Sequence, residues 1–375
     1  MMKIIFQLLC LCVYDKLKMF IKRIKINNFR NINNSIIKPS EKINFIYGKN
    51  AQGKTNLIEL IYYSSLYKSF RTNKSINLIA EKKNNFIIDM DIINNKVNNN
   101  LKISLDNKKN RKITIDNKKP DSKNFYKILN SIIYHPDEIS YLKIYPIYRR
   151  NLIDRSIFYI NNEYINTFKK YIKCLKQRNI FLKQINKEND VWKDQLIEYA
   201  YIIINERIKY IEKINFYFDN LSKKNKLKEK YSILYNKYNK EKIKDILFNL
   251  FKNNELKEKQ YGYTLVGPHI DDFIFLVNNN NINKYSSEGQ KRSFLLSYKQ
   301  AQLRDYKNIH GYNPILLLDD MGSELDIYRK ENFFNNILDD SGQVFITTMN
   351  ITDIKKSNTK IFEVNNGDFS EFNFN

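Results

Sequence analysis

The chain has 375 residues, 42% hydrophobic and 28% charged, with a formal net charge of +24. This length favours two domains or lobes over one, and this balance describes a soluble globular protein, not a disordered or fibrous one. The positive surplus favours a polyanionic partner, because Lys and Arg that neutralise phosphates release condensed counterions, although the abundance of Lys, Asn, Ile, Tyr and Phe also reflects the codon bias of an AT-rich genome.

Residues 4–14 form an apolar run behind Lys3. It is too short to span a bilayer and no small-residue cleavage site follows it. Residues 1–18 are expected to be a non-native or dispensable extension, with Met19 as the physiological start. No other segment has the length of a membrane span. Residues 19–27 read as a strand with Ile24 and Ile26 on one face. A short apolar run at 43–47 ends in Gly48 and predicts a buried strand feeding a loop, followed by helical character over 54–67. Residues 85–93, 101–105 and 111–115 read as strands separated by Asn- and Lys-rich turns.

The texture changes near residue 126. From 148 to about 258 the chain is charged and nearly free of Gly and Pro, with apolar residues at helical spacing, which predicts several helices in an inserted arm. Arg149 and Arg150 near its start are either phosphate contacts or an exposed helix start. Strands are expected at 263–266 and 272–277, a polar turn at 278–281 and a helix over 290–303. The apolar run at 314–320 ends in two acids, as a central parallel strand does, and further strands are expected at 343–347 and 360–364. The expected organisation is an α/β head of residues 19–125 and 259–375, split by a helical arm lobe at 126–258. The cysteines (Cys10, Cys12, Cys174) form no disulfide framework and fit a reducing cytosol. The scattered His135, His269 and His310 argue against a histidine-rich metal site.

Three motifs carry chemistry, and a fourth accompanies them. GKNAQGKT at 48–55 fits the G-x-x-x-x-G-K-[ST] pattern of a phosphate-binding loop, with an apolar strand before it and a helix after it. Gly48, Lys49, Asn50, Ala51, Gln52 and Gly53 would wrap phosphate with backbone N–H groups, aided by the positive helix end. Lys54 would meet the β- and γ-phosphates and Thr55 would ligate Mg²⁺. ILLLDD at 315–320 delivers acids at the C-terminal edge of a buried strand. Asp319 would hold Mg²⁺ through water, and Asp320 would orient or deprotonate the attacking water. SSEGQKR at 286–292 opens a helix. Ser287, Gly289 and Gln290 are either an ordinary helix cap or a second anion site that closes on the nucleotide of another subunit. SELD at 323–326 follows the acidic strand.

Taken together these motifs resemble an ABC-type head of the SMC-like branch: S-x-G-Q is its signature and SELD its D-loop. More than half the chain separates Gly53 from Gly289, too far for a transporter ATPase and far too near for an SMC coiled coil. INNFRNI (26–32), GKNAQGKTNLIELIYYSSLYKSFRT (48–72), HPDEISYLKIYPIYRRNLID (135–154), GPHIDDFIF (267–275), SEGQKRSFLLSYKQA (287–301) and LLLDDMGSELD (316–326) resemble the RecF family, and the resemblance runs from Met19 to about residue 352. It implies an ABC/SMC-type P-loop ATPase head interrupted by a helical arm lobe. It also implies a cytoplasmic protein that binds ATP with Mg²⁺, dimerises on DNA and hydrolyses ATP slowly. Such proteins act at single/double-strand junctions with RecO and RecR, and support RecA loading, recombinational repair, replication restart and the SOS response. Ile270 departs from the family, which usually has a basic residue there. ITTM at 346–349 stands where transporters carry a switch histidine, a position at which threonine fits RecF relatives. Asp320 replaces the glutamate of faster ATPases. Lys68, Arg71 and Lys74 either line a DNA face or form a solvated cluster. A nuclease-fused ABC head would need an added acidic domain, which the sequence after 352 does not supply. A non-hydrolysing scaffold is opposed by intact Lys54, Thr55, Asp319 and Asp320.

Overall fold

The computed structural model describes residues 19–120, 128–184, 189–224, 229–320, 341–349 and 359–372; the expected extension at 1–18 lies outside them. The chain divides into two compact units, Met1–Pro136 with Leu303–Asn375, and Asp137–Gln302. In the first unit it runs through β1 (Met19–Phe29), β2 (Ile32–Ile37), β3 (Ile43–Tyr47), α1 (Lys54–Leu66), β4 (Asn85–Asn94), β5 (Val97–Asp106), β6 (Arg111–Ile115) and β7 (Ser131–Tyr134). The second unit holds α2 (Asp137–Ile144), α3 (Pro146–Ile160), α4 (Asn162–Leu182), α5 (Lys193–Lys224), β8 (Tyr231–Leu234), α6 (Ile243–Tyr261), β9 (Ile274–Val277), β10 (Asn280–Asn281) and the start of α7 (Glu288–His310). The first unit resumes along α7 and continues with β11 (Ile315–Leu318), β12 (Val344–Thr348), β13 (Thr359–Asn365) and β14 (Asp368–Glu371).

One sheet of the first unit has the order β2-β1-β4-β5-β6, with antiparallel neighbours. Alternation puts Phe86, Ile88, Met90 and Ile92 of β4 and Leu101, Ile103 and Leu105 of β5 into the core, each contributing roughly 1.5–3 kcal/mol when fully buried. Asn95 and Lys96 at the β4–β5 turn both have positive φ, as a two-residue turn matched to the sheet's twist requires. In β1 a register shift between Ile21 and Arg23 lets Ile21 and Ile24 both face inward despite their odd spacing.

The other sheet carries the glycine-rich loop and the acidic pair at its strand ends. Its order is β14-β13-β3-β12-β11-β7, parallel from β13 to β7, with β14 antiparallel at the edge. Every residue of β7, β11 and β12 is buried, as expected of strands covered on both faces. The order places β12 between β3, which ends at the glycine-rich loop, and β11, which ends at the two acids.

The second unit is not purely helical. Residues 231–234, read from composition as part of a helical arm, form β8, which pairs with β9 from Tyr231↔Val277 to Leu234↔Ile274. Residues 131–134, read in the same arm, form β7 in the first unit's parallel sheet. The expected strand at 263–266 is a loop, because side chains occupy its backbone donors: Thr264 N–H donates to Asn179 Oδ1 (2.9 Å) and Leu265 N–H to Glu258 Oε1 (2.7 Å). Pairing with β8 keeps β9 in the second unit, so that unit extends beyond 258 into α7.

Charged side chains hold the second unit's core. Arg207 is 1% exposed and grips Asp154 with two hydrogen bonds of 2.8 Å, while Tyr164 donates to the same carboxylate (2.6 Å). The GPHIDD loop is pinned throughout. Arg207 donates to the Pro268 carbonyl (2.8 Å), Arg150 to the Asp271 carbonyl (2.7 Å), and Arg149 to both oxygens of Asp272 (2.7 Å each). Tyr235, Lys237 and Tyr238 donate to Asp271. Arg149 is 6% exposed, so it is a buried structural partner, neither an exposed helix start nor a phosphate contact. Ile270 stands exposed in the loop.

Candidate nucleotide-binding site

The phosphate-binding loop is built by close approach. A Cβ on Gly48 would lie 2.6 Å from the Val364 carbonyl oxygen, and one on Gly53 would lie 2.8 Å from Asn31 Oδ1; only glycine fits at either place. Ala51 between them adopts φ 63 and Gly53 φ 119, torsions that turn successive N–H groups into one concavity. Gly53 caps α1, whose first turn contains no acid, so the helix's positive end is uncompensated by its own side chains. Lys54 Nζ donates to the Gly48 carbonyl (2.6 Å) and the Lys49 carbonyl (2.9 Å), which curls the ammonium back over the loop.

Two contacts unseen in the sequence brace the loop from behind. Asn31 donates through Nδ2 to the Gln52 carbonyl (2.9 Å) and accepts from Asn56 Nδ2 on α1 (2.7 Å). The β13–β14 turn donates Gly367 N–H to the Gln52 carbonyl (2.9 Å) and Asn366 N–H to Gln52 Oε1 (2.7 Å). The dipeptide Asn366–Gly367 was the available signal, since Asn-Gly is the strongest short hairpin cue.

The acidic edge meets this loop. Thr55 Oγ1 donates to Asp319 Oδ1 (3.0 Å), which joins the first helical residues to the acid after β11. Thr347 of β12 donates to the same oxygen (2.8 Å) and accepts from the Asp320 N–H (2.7 Å). Asp320 has φ 48, a left-handed torsion that is strained for a residue with a Cβ. Burial pushes the Asp319 carboxyl above the usual carboxylate range; hydrogen bonds from Thr347 and Thr55 and the neighbouring His135 pull it back, and Asp320 pushes it further up. Burial lowers the Lys54 ammonium, while Asp320 and Asp319 pull it the other way.

This arrangement fits a metal–nucleotide pair. The loop offers backbone donors and one ammonium to phosphate. Thr55 and Asp319 offer a neutral and an anionic oxygen, the ligand chemistry of a hard cation that completes its shell with water and phosphate. Among the described residues no group of three or more His, Cys, Asp and Glu forms a separate metal cage.

Ser287, Gly289 and Gln290 belong to the second unit. The Ser287 N–H donates to Gln290 Oε1 (3.0 Å) and the Gln290 N–H to Ser287 Oγ (3.3 Å), a reciprocal capping box at the start of α7. The plain cap is therefore real, and it still leaves the Ser287 side chain exposed. SELD at 323–326 lies outside the described residues. Arg71 donates to Asn56 Oδ1 (2.8 Å) and lies 3.7 Å from the buried Glu59, so it is tied to α1 and is not simply a solvated charge.

A family model described as the RecF/RecN/SMC N terminal domain matches residues 20–369. The DNA replication and repair protein RecF of Clostridium beijerinckii is 35% identical over 93% of this chain and 98% of its own. The chain belongs to the RecF family. The RecF of Clostridium botulinum strain Langeland is 36% identical over 93% of this chain and 99% of its own. A solved structure titled as the recombination mediator protein RecF with ATP in the RecFOR pathway superposes with a TM-score of 0.86 at 30% identity, covering 95% of this chain and 100% of that one. The Smc head domain of Pyrococcus furiosus shares the fold at 14% identity, with a TM-score of 0.55 over 94% of this chain and 96% of that one. The architecture is thus the ABC/SMC-type head that the motifs implied. No helix among the described residues is long and apolar enough to cross a membrane.

Proposed function

We propose that this RecF-family chain is a cytoplasmic, ATP-dependent DNA clamp, in which a nucleotide-binding head carries a largely helical arm lobe. The observation that carries the reading is the Thr55–Asp319 hydrogen bond, which brings the phosphate loop and the acidic strand into one site. Gly48 to Gly53 and Lys54 bind the triphosphate, and Thr55 and Asp319 hold Mg²⁺. Bound Mg²⁺ would screen charge on the phosphoryl oxygens. Asp320 orients the attacking water and takes its proton. Ser287, Gly289 and Gln290 cap the nucleotide of a second copy, so ATP drives dimerisation. The closed dimer grips DNA at single/double-strand junctions mainly through phosphates, and hydrolysis reopens it. RecR and RecO are the protein partners, and the outcome is RecA loading in recombinational repair, replication restart and SOS induction. The identity to RecF proteins along nearly the whole chain supports this role.

Light scattering with and without Mg·ATP tests the reading. The wild type is expected to double its mass with Mg·ATP, and Ser287→Arg to stay monomeric while remaining folded, since losing a cap costs only about 1 kcal/mol. A wild type that binds ATP yet stays monomeric would overturn the capping role. Asp320→Asn is expected to bind ATP normally and to lose hydrolysis by about 10²–10⁴-fold. It should then release DNA more slowly than wild type; faster release would refute the clamp.

A further inference from the structure

We propose that Thr347 is a positioning residue for both acids of the site, and that its hydroxyl sets the Mg²⁺ dependence of nucleotide binding. The inference rests on the reading of the site as one for Mg·ATP and adds a residue to it. Its basis is the direction of three hydrogen bonds.

A backbone N–H can only donate, so at the 2.7 Å contact with Asp320 the Thr347 oxygen must be the acceptor. The single proton of Thr347 is then committed to Asp319 Oδ1 at 2.8 Å. Thr55 donates to that same oxygen at 3.0 Å, and its own lone pairs stay available to a cation. Two hydroxyls converging on Oδ1 fix the rotation of the carboxylate, which would leave Asp319's other oxygen to hold the cation through water. The same Thr347 oxygen anchors the Asp320 peptide in its left-handed torsion of φ 48. One hydroxyl thereby sets the aim of the metal-holding acid and the backbone of the water-orienting acid.

The strand order explains why this residue can do so. β12 lies between β3 and β11. Ile346 pairs with Leu318, and Thr347 pairs with Ile46. Thr347 is therefore level with Asp319 on one side and with the end of β3 on the other. It is 1% exposed, so its hydroxyl is shielded from bulk water. Partners that orient a metal ligand in this way typically change metal affinity by about 10–100-fold when removed.

The test is a titration of Mg²⁺ against binding of a fluorescent ATP analogue, using the full chain, with an EDTA baseline. Thr347→Val keeps the shape and removes the hydroxyl. It should bind the analogue in EDTA as wild type does, while the half-saturating Mg²⁺ concentration rises about 10–100-fold. Thr347→Ser should restore the wild-type value. If Thr347→Val does not fold by thermal melting, Thr347→Cys carries the same test with a weak donor of similar size, and its half-saturating Mg²⁺ should also rise. An unchanged Mg²⁺ requirement in the folded variant, beside a wild type that responds to Mg²⁺, overturns the role of Thr347. A wild type whose nucleotide binding ignores Mg²⁺ overturns the functional reading itself.

Discussion

Arg207→Met is expected to destabilise the second unit by about 3–5 kcal/mol, because it leaves a buried carboxylate without its cation. Asp154 is 4% exposed and receives two guanidinium hydrogen bonds of 2.8 Å and one from Tyr164 of 2.6 Å. Burial is the largest single influence and disfavours the Arg207 charge, yet Asp154, Tyr164 and Tyr235 together outweigh it and hold the guanidinium well above its ordinary value. The arginine also donates to the Pro268 carbonyl, so its loss frees the GPHIDD loop at the same time. Methionine replaces part of the volume and polarisable surface, so the loss reads chiefly as charge and hydrogen bonding. The chain's single tryptophan, Trp192, lies in this unit and reports its unfolding in urea. Asp154→Asn in the Arg207→Met background removes the orphan charge but keeps an acceptor for Tyr164. The double variant should therefore recover a substantial part of the loss. If the single variant lost less than about 1 kcal/mol, a range typical of exposed ion pairs, the pair would not be the buried anchor that its geometry describes.

The sequence was most legible where chemistry is local. The loop at 48–55 is one contiguous motif of glycines, lysine and threonine, and its flanking strand and helix stand where the apolar run and the helical spacing put them. The acids at 319–320 were legible for a similar reason, since four buried residues ending in charge read as a central parallel strand. The contacts that join these pieces were not legible. Asn31 reaches Gln52 from a turn between two strands of a different sheet, and Thr347 reaches Asp319 only because β12 lies between β3 and β11. Strand order in a parallel sheet is a tertiary fact that local pattern does not carry. The second unit misled for the opposite reason. Its β8 has only four residues between long helices, so a composition-wide helical pattern covered it; its partner β9 follows well over thirty residues later. Arg149 reads from the sequence as either a phosphate contact or an exposed helix start, since arginines are mostly exposed, and the bidentate partner Asp272 explains its burial instead. The capping box at Ser287 and Gln290 shows that a structural motif and a proposed functional one can share the same atoms.

Lys54→Ala is expected to lower ATP hydrolysis by about 10²–10³-fold, the loss typical of removing one preorganised charge-stabilising donor. The side chain does more than add a positive charge. Its contacts at 2.6 and 2.9 Å to the Gly48 and Lys49 carbonyls hold the ammonium over the loop, so in the proposed site little ordering would remain when phosphate binds. Burial penalises that charge, and Asp320 and Asp319 support it, which ties the lysine electrostatically to the acidic edge it faces. Alanine removes the donor and leaves two loop carbonyls to be solvated at a half-exposed site, so the fold should change little; a thermal melt near the wild-type value would show this. Arginine is not a conservative control here, because a planar fork cannot replace a point donor between two carbonyls, and Lys54→Arg should fall close to Lys54→Ala. ATP affinity and ATP-driven dimerisation should fall together in both variants, since the phosphates would no longer be gripped. Lys54→Ala should then differ from Thr347→Val in one decisive respect. It should weaken nucleotide binding in EDTA as well as in Mg²⁺, because in the proposed site the lysine would meet phosphate directly whereas the threonine would act through the acids. Wild-type hydrolysis by a folded Lys54→Ala protein would remove the phosphate loop from the reaction and with it the proposed site.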